Sequence, residues 1–145
     1  MKYTLIIALI LGSSLTSNAQ NGLSDIHQIE IDMQRCIDDS SQLESRIMLE
    51  CIFRAHRRYE RVVDTSYSEL ISNYPEGMRE TLEANQTAWE AYIQTQIQMN
   101  REHYESYSAR MYRVIEARER MKLWKERALF MATLYRARTE NRRTH

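Results

Sequence analysis

The sequence predicts an all-α protein: an antiparallel helical bundle of three long helices plus a short N-terminal helix. Three observations carry this expectation. Apolar residues recur at a period near 3.6 through most of the chain. Beyond residue 19 there are only two glycines, Gly22 and Gly77, and one proline, Pro75, which leaves little room for the turns of hairpins. Pro75-Glu-Gly77 falls between two apolar stripes, where a bundle must fold back.

Residues 1–19 read MKYTLIIALILGSSLTSNA. Lys2 is a positive leader, Tyr3 to Leu11 a short apolar core, and Ser17 and Ala19 small residues before a cleavage point. This is the pattern of a signal peptide, and its apolar run is too short to span a bilayer. The first cysteine is Cys36, too distant from the apolar core to serve as a lipid anchor. The expectation is a periplasmic or secreted chain with no membrane span, in which residues 20–145 form one domain.

Residues 25–36 suit a short helix with Ile29, Met33 and Cys36 on one side. Asp38-Asp39-Ser40-Ser41 breaks the pattern. Ser41-Gln-Leu-Glu44 is a capping-box sequence, with Ser45 a rival cap one turn later. From there to about Asn73, Met48, Cys51, Ile52, Ala55, Tyr59, Val62, Leu70 and Tyr74 form a second stripe. Pro75 suits the first position of a third helix, which runs to about His103. Its stripe is Met78, Leu82, Trp89, Ile93 and Ile97, with Gln86 inside it. Gln86 and Trp89 read as structural core, the alternative being that they line a ligand groove. Ser108 can cap a fourth helix, whose stripe includes Met111, Val114, Ala117, Met121, Trp124, Ala128, Met131 and Tyr135. Trp124 is its core aromatic. The helix is expected to fray near Arg138.

Cys36 and Cys51 are the only cysteines, both beyond the signal. Export makes a disulfide permissible, and it would join the first helix to the second. Closing a loop of this size stabilises by about 3 kcal/mol in the chain-entropy model. Two buried free thiols are the rival reading.

Charge and motif exclude several functions. The chain has 20 Lys+Arg against 20 Asp+Glu. Removing the signal takes away Lys2 and no acid, leaving 19 basic and 20 acidic residues and a net charge of −1. A general nucleic-acid binder would carry a basic excess. The histidines, His27, His56, His103 and His145, belong to no HExxH or Glu-x-x-His pattern, and haem and phosphate-loop motifs are missing. No catalytic residue, metal or cofactor is therefore expected. Arg54, Arg58 and Arg61, at i, i+4 and i+7 beside the second stripe, read either as an ordinary charged face or as a cationic strip for an acidic partner surface.

The motifs, taken in order, resemble the lysozyme inhibitor LprI-like family of small exported helical proteins. His27, Cys36 and Cys51 follow the family order, with Met48 in a Met-x-x-Cys position. Tyr59-Glu60-Arg61-Val62-Val63-Asp64 loosely matches its Trp-Asp-x-x-Leu-Asn, and Tyr67-Ser-Glu-Leu70 its Tyr-x-x-Leu. Gln86 and Trp89 form its Gln-x-x-Trp; Met111-Tyr112 and Arg127-Ala128-Leu129 follow. The resemblance implies a cell-envelope protein whose characterised relatives inhibit lysozyme, and it brings no catalytic residue with it. Two functions follow as expectations. One is a non-enzymatic protein that binds a lysozyme-type muramidase; the other is a helical envelope adaptor or assembly factor that inhibits nothing.

Overall fold

The computed structural model describes residues 18–39, 45–107 and 109–143. Four helices hold nearly all of them: α1 (Asn18–Asp38), α2 (Ser45–Asn73), α3 (Glu76–Glu105) and α4 (Arg110–Arg143). Among the described residues there is no strand. Residues 1–17, most of the expected signal peptide, lie outside the described residues, as do the capping box at 41–44 and Ser108. No described helix is long and apolar enough to cross a membrane.

The N-terminal helix is not short: α1 has 21 residues where the sequence suggested 25–36. Its early part packs against α4. A Cβ added to Gly22 would meet the Ala132 Cβ at 3.2 Å, with Ser66 Oγ 4.0 Å away. The glycine thus permits a close approach between helices, which offsets its poor helix propensity. At the other end the Asp39 amide still donates to the Arg35 carbonyl at 2.8 Å.

Helix α2 begins at Ser45, the later of the two candidate caps, and ends at the expected Asn73. Pro75 stands one position earlier than expected, as the N-cap of α3 with φ −66° and ψ 159°. A cap needs no amide hydrogen, and the Pro75 carbonyl accepts from the amides of both Met78 and Arg79 at 3.0 Å. Helix α4 runs past Arg138 to Arg143. Arg138 donates to the Asn73 carbonyl at 3.1 Å and Arg142 to the Asn73 side chain at 2.9 Å. These bonds tie the last turns of α4 to the end of α2, where sequence alone suggested fraying.

The core is built mainly by α1, α2 and α4. Ile29, Ile52, Tyr59, Leu70, Met131 and Ala128 are almost wholly removed from water, each large apolar side chain contributing about 1.5–3 kcal/mol. In α2 the buried valine is Val63, with Val62 half-buried beside it. Helix α3 is shallower. Only Leu82 and Ile93 are buried along its 30 residues, and Met78, assigned to the stripe from sequence, is 50% exposed. Met111, at the head of the α4 stripe, is exposed as well.

Polar ties set the register. Glu30 accepts from the Tyr59 hydroxyl at 3.1 Å and from Lys125, so one α1 carboxylate joins α2 and α4. The Lys125 hydrogen bond holds the Glu30 carboxyl below its ordinary range against the opposing effect of burial. Burial, and then the Glu30 charge, push the Tyr59 hydroxyl up, so it remains a donor.

Candidate functional site

The arginine strip lies along the seam between α1 and α2. Its i, i+4, i+7 spacing keeps Arg54, Arg58 and Arg61 on one side of α2, and α1 packs beside them to make two grooves. One, of about 710 Å³, is lined by Arg35, Arg54 and Arg58 and by Asp32 and Asp39, with an apolar floor that includes Ile29, Met33 and Ala55. The other, of about 480 Å³, is lined by Arg58 and Arg61 and by Asp25 and Glu69, with Val62 and Tyr135. Ile29 and Arg58 belong to both, so the grooves form one furrow with Arg58 at its middle.

The three arginines are not equivalent. Arg58, its side chain 29% exposed, donates to Asp32 across the seam at 2.6 Å. This hydrogen bond, followed by one from Gln28, holds the Asp32 carboxyl below its ordinary range. Arg54, 59% exposed, has only a loose contact of 3.7 Å with Glu50. Arg61 is exposed and has no ion-pair partner among the described residues. Arg58 therefore helps to build the furrow, while Arg54 and Arg61 keep guanidinium groups available on either side of it.

The Cys36–Cys51 disulfide is formed, with a Cα–Cα distance of 5.8 Å. Both residues line the larger groove. The bond fixes the end of α1 against the start of α2 and thereby sets the width of the furrow near Arg54.

Gln86, Trp89 and Trp124 are half-buried rather than central to the core. They form the α3–α4 seam. The two tryptophan rings meet edge-to-face, centroids 4.9 Å apart. Beside them is a residue whose importance was not read from the sequence. Arg127 is 6% exposed and donates from Nε and Nη2 to the Gln86 side-chain oxygen at 3.2 and 2.6 Å, and from Nη1 to Asn85 at 2.9 Å. Its guanidinium lies 5.0 Å from the Trp89 ring and 5.2 Å from that of Phe130. Gln86 in turn donates to Glu90 at 2.8 Å. Burial lowers the Arg127 pKa from its ordinary value. The signal for Arg127 was available: it lies three residues after Trp124 and four before Met131, an inward slot on a helix. The cluster satisfies its own donors, so its arrangement fits architecture better than ligand capture.

His56 lies next to this seam, its ring centroid 5.7 Å from Trp124. Burial first, and the Arg120 charge second, push it down to about 4. Its Nε2 stands 3.5 Å from the Glu60 carboxylate without making a hydrogen bond. His27 is exposed on α1. Among the described residues, no three histidine, cysteine or acidic side chains form a group able to hold a metal ion. What the furrow offers chemically is two accessible arginines, Arg54 and Arg61, in a lining whose four arginines are matched by four carboxylates, so that a partner carboxylate would be met by local pairing and not by a net positive field.

Fold and site together define a small, disulfide-stapled helical protein with a furrow edged by accessible arginines. The chain belongs to the lysozyme inhibitor LprI family, whose pattern matches residues 32–131. That span includes both cysteines, the arginine strip and the Arg127 cluster. Among solved structures, the chain is similar to an uncharacterized protein from Burkholderia thailandensis, with a TM-score of 0.68 and 23% sequence identity. The likeness covers 74% of this chain and 53% of the other. This chain thus matches only about half the length of that protein, and the likeness is one of fold. No curated protein matches the chain.

Proposed function

We propose that this protein is an exported inhibitor that binds a lysozyme-type muramidase through the α1–α2 furrow, with Arg54 and Arg61 as the cations that meet the enzyme. The observation that carries the proposal is the pairing of membership in the lysozyme inhibitor LprI family with accessible arginines on a preformed furrow. Glycosidases of this kind cleave between two carboxyl groups in a cleft. A guanidinium pairs with a carboxylate bidentately and in a fixed plane, and could obstruct the path of the glycan. Arg58 is tied to Asp32, so its contribution is to hold the furrow in shape.

Residues 1–19 act as the export signal in this reading, and residues 20–145 are the secreted domain, working without catalysis or cofactor. The bundle is antiparallel between consecutive helices. The facing pairs support this: Cys36 with Cys51 and Asp32 with Arg58 between α1 and α2, and Trp89 with Trp124 and Tyr104 with Tyr112 between α3 and α4. The envelope-adaptor reading draws on one different observation, the exposure of Tyr92 and Met99 on α3.

The test is a cell-wall lysis assay with the purified mature protein beside Arg54→Ala/Arg61→Ala. Slowed lysis by wild type and at least about tenfold weaker inhibition by the variant are expected, since a lost charge-assisted hydrogen bond costs about 1.5–3 kcal/mol. Equal inhibition by both would remove the furrow from the account. No inhibition by wild type would leave the adaptor reading.

A further inference from the structure

A second concave site lies where the start of α2 meets the α3–α4 turn. It has a volume of about 380 Å³ and shares no lining residue with the α1–α2 furrow. That volume is at the small end of the range for ligand pockets, about 300–1,000 Å³.

Its walls are aromatic. Phe53, Tyr104 and Tyr107 line it, and Tyr107 is 44% exposed. The tyrosines are supported from behind. Tyr107 stacks on Tyr112 with centroids 4.4 Å apart, Tyr104 lies 6.4 Å from the same ring, and His103 meets both Tyr104 and Tyr107 edge-on. Such mutual packing holds the rings in place before any ligand arrives.

The charges of the pocket are unevenly spent. Arg120 is bound to Glu116 on the preceding turn. Arg101 and Arg113, also in the lining, have no ion-pair partner among the described residues, and Glu105 is the remaining acid. Two free guanidinium groups against one carboxylate leave a single positive charge to be met. The tyrosine hydroxyls and Glu105 add acceptors beside the arginine donors.

We propose that this pocket binds a carboxylated sugar, its ring lying against the tyrosine wall and its carboxylate on Arg101 and Arg113. The C–H edges of a sugar ring are weakly positive and rest on the negative face of an aromatic ring. Sugar hydroxyls both donate and accept, which suits a lining with Glu105 and tyrosine hydroxyls. A nucleotide fits less well: its phosphate carries more negative charge than the pocket balances, and Glu105 would repel it. The site is independent of the arginines assigned to enzyme binding, so either assignment can fail alone.

The test is a titration of the isotopically labelled mature protein with N-acetylmuramic acid, followed by amide chemical shifts. N-Acetylglucosamine, a closely related sugar without the carboxylate, is the matched control. Expected are saturable shifts confined to the start of α2 and to residues 101–113, with at least about tenfold weaker binding of the neutral sugar. Arg101→Gln, an exposed side chain whose loss leaves the helices intact, is expected to weaken binding of the acid sugar similarly without changing that of the neutral one. Arg101→Lys is expected to recover part of the loss, as a point charge without the planar fork. No shifts, equal shifts with both sugars, shifts elsewhere in the protein, or adenosine monophosphate binding where the acid sugar does not would each overturn the proposal.

Discussion

Arg127 and Gln86 meet across the α3–α4 seam through two hydrogen bonds, and the acceptor is a neutral amide oxygen. A guanidinium 6% exposed normally finds a carboxylate. Here the Trp89 and Phe130 rings supply further stabilisation through their negative faces. Glu90, bonded to Gln86, places the nearest compensating charge one residue behind.

Removing either partner is therefore expected to be costly. Gln86→Leu leaves Arg127 with Asn85 as its only side-chain acceptor among the described residues, and is expected to destabilise by about 2 kcal/mol. Arg127→Met leaves two amides to find other partners and is expected to cost less than removal of Gln86 alone. The double variant should lose less than the sum of the two single losses, by a coupling of about 1–2 kcal/mol. Urea melts of the three variants check this; additive losses would show that the two side chains do not depend on one another.

Much of the fold was legible in the sequence because stripes and breakers are local signals. The apolar faces of α2 and α4, the turn at Pro75 and the two cysteines could be read directly. Depth could not. Periodicity indicates which side of α3 is apolar, but its burial depends on how closely neighbouring helices approach, and Met78 and Trp89 are consequently more exposed than a stripe suggests. Val62 and Val63 are 100° apart on a helix, and only the position of α1 and α4 decides which is buried. At the candidate site the spacing of Arg54, Arg58 and Arg61 was visible, whereas the Arg58–Asp32 bond, between residues 26 apart, depends on tertiary register. Arg127 enters the sequence reading only through the Arg127-Ala128-Leu129 motif, because its partners Gln86 and Asn85 come into reach only once α3 packs against α4.

His56 predicts a pH dependence. Its folded pKa is about 4 against an ordinary 6.5, so the unfolded chain binds the proton more readily. The stability it contributes is complete above about pH 6.5 and is lost as pH falls toward 4, by about 3 kcal/mol over the whole window. Burial also raises the Glu60 carboxyl, which opposes this trend at the acidic end. Lowered Asp32 and Glu30 act below the range of an ordinary carboxylate and extend the loss to lower pH. Denaturant melts from pH 7 to 4 are expected to show a steeper decline for wild type than for His56→Phe. Identical slopes would contradict a buried neutral imidazole.

The disulfide predicts a reduced form that is weaker at one place. Cys36→Ser/Cys51→Ser is expected to lose about 3 kcal/mol, the loop-closure estimate for a separation of 15 residues. Amide exchange should rise first in the last turns of α1 and at the start of α2, where the bond holds the furrow closed. Exchange that rises uniformly, or first in α3, would show that α1 is held chiefly by its core contacts through Ile29 and Met33.

The central claim, that the furrow meets a lysozyme through Arg54 and Arg61, is tested most directly by calorimetric titration of the mature protein into lysozymes of several classes at low ionic strength. Near-neutral net charge gives little long-range steering, so affinity should rest on short-range contacts and a slow off-rate. The account predicts one-to-one binding to at least one class, weakened about tenfold or more by Arg54→Ala/Arg61→Ala and left unchanged by Arg101→Gln. No heat of binding with any class, in a protein whose circular dichroism shows the helices intact, would contradict it.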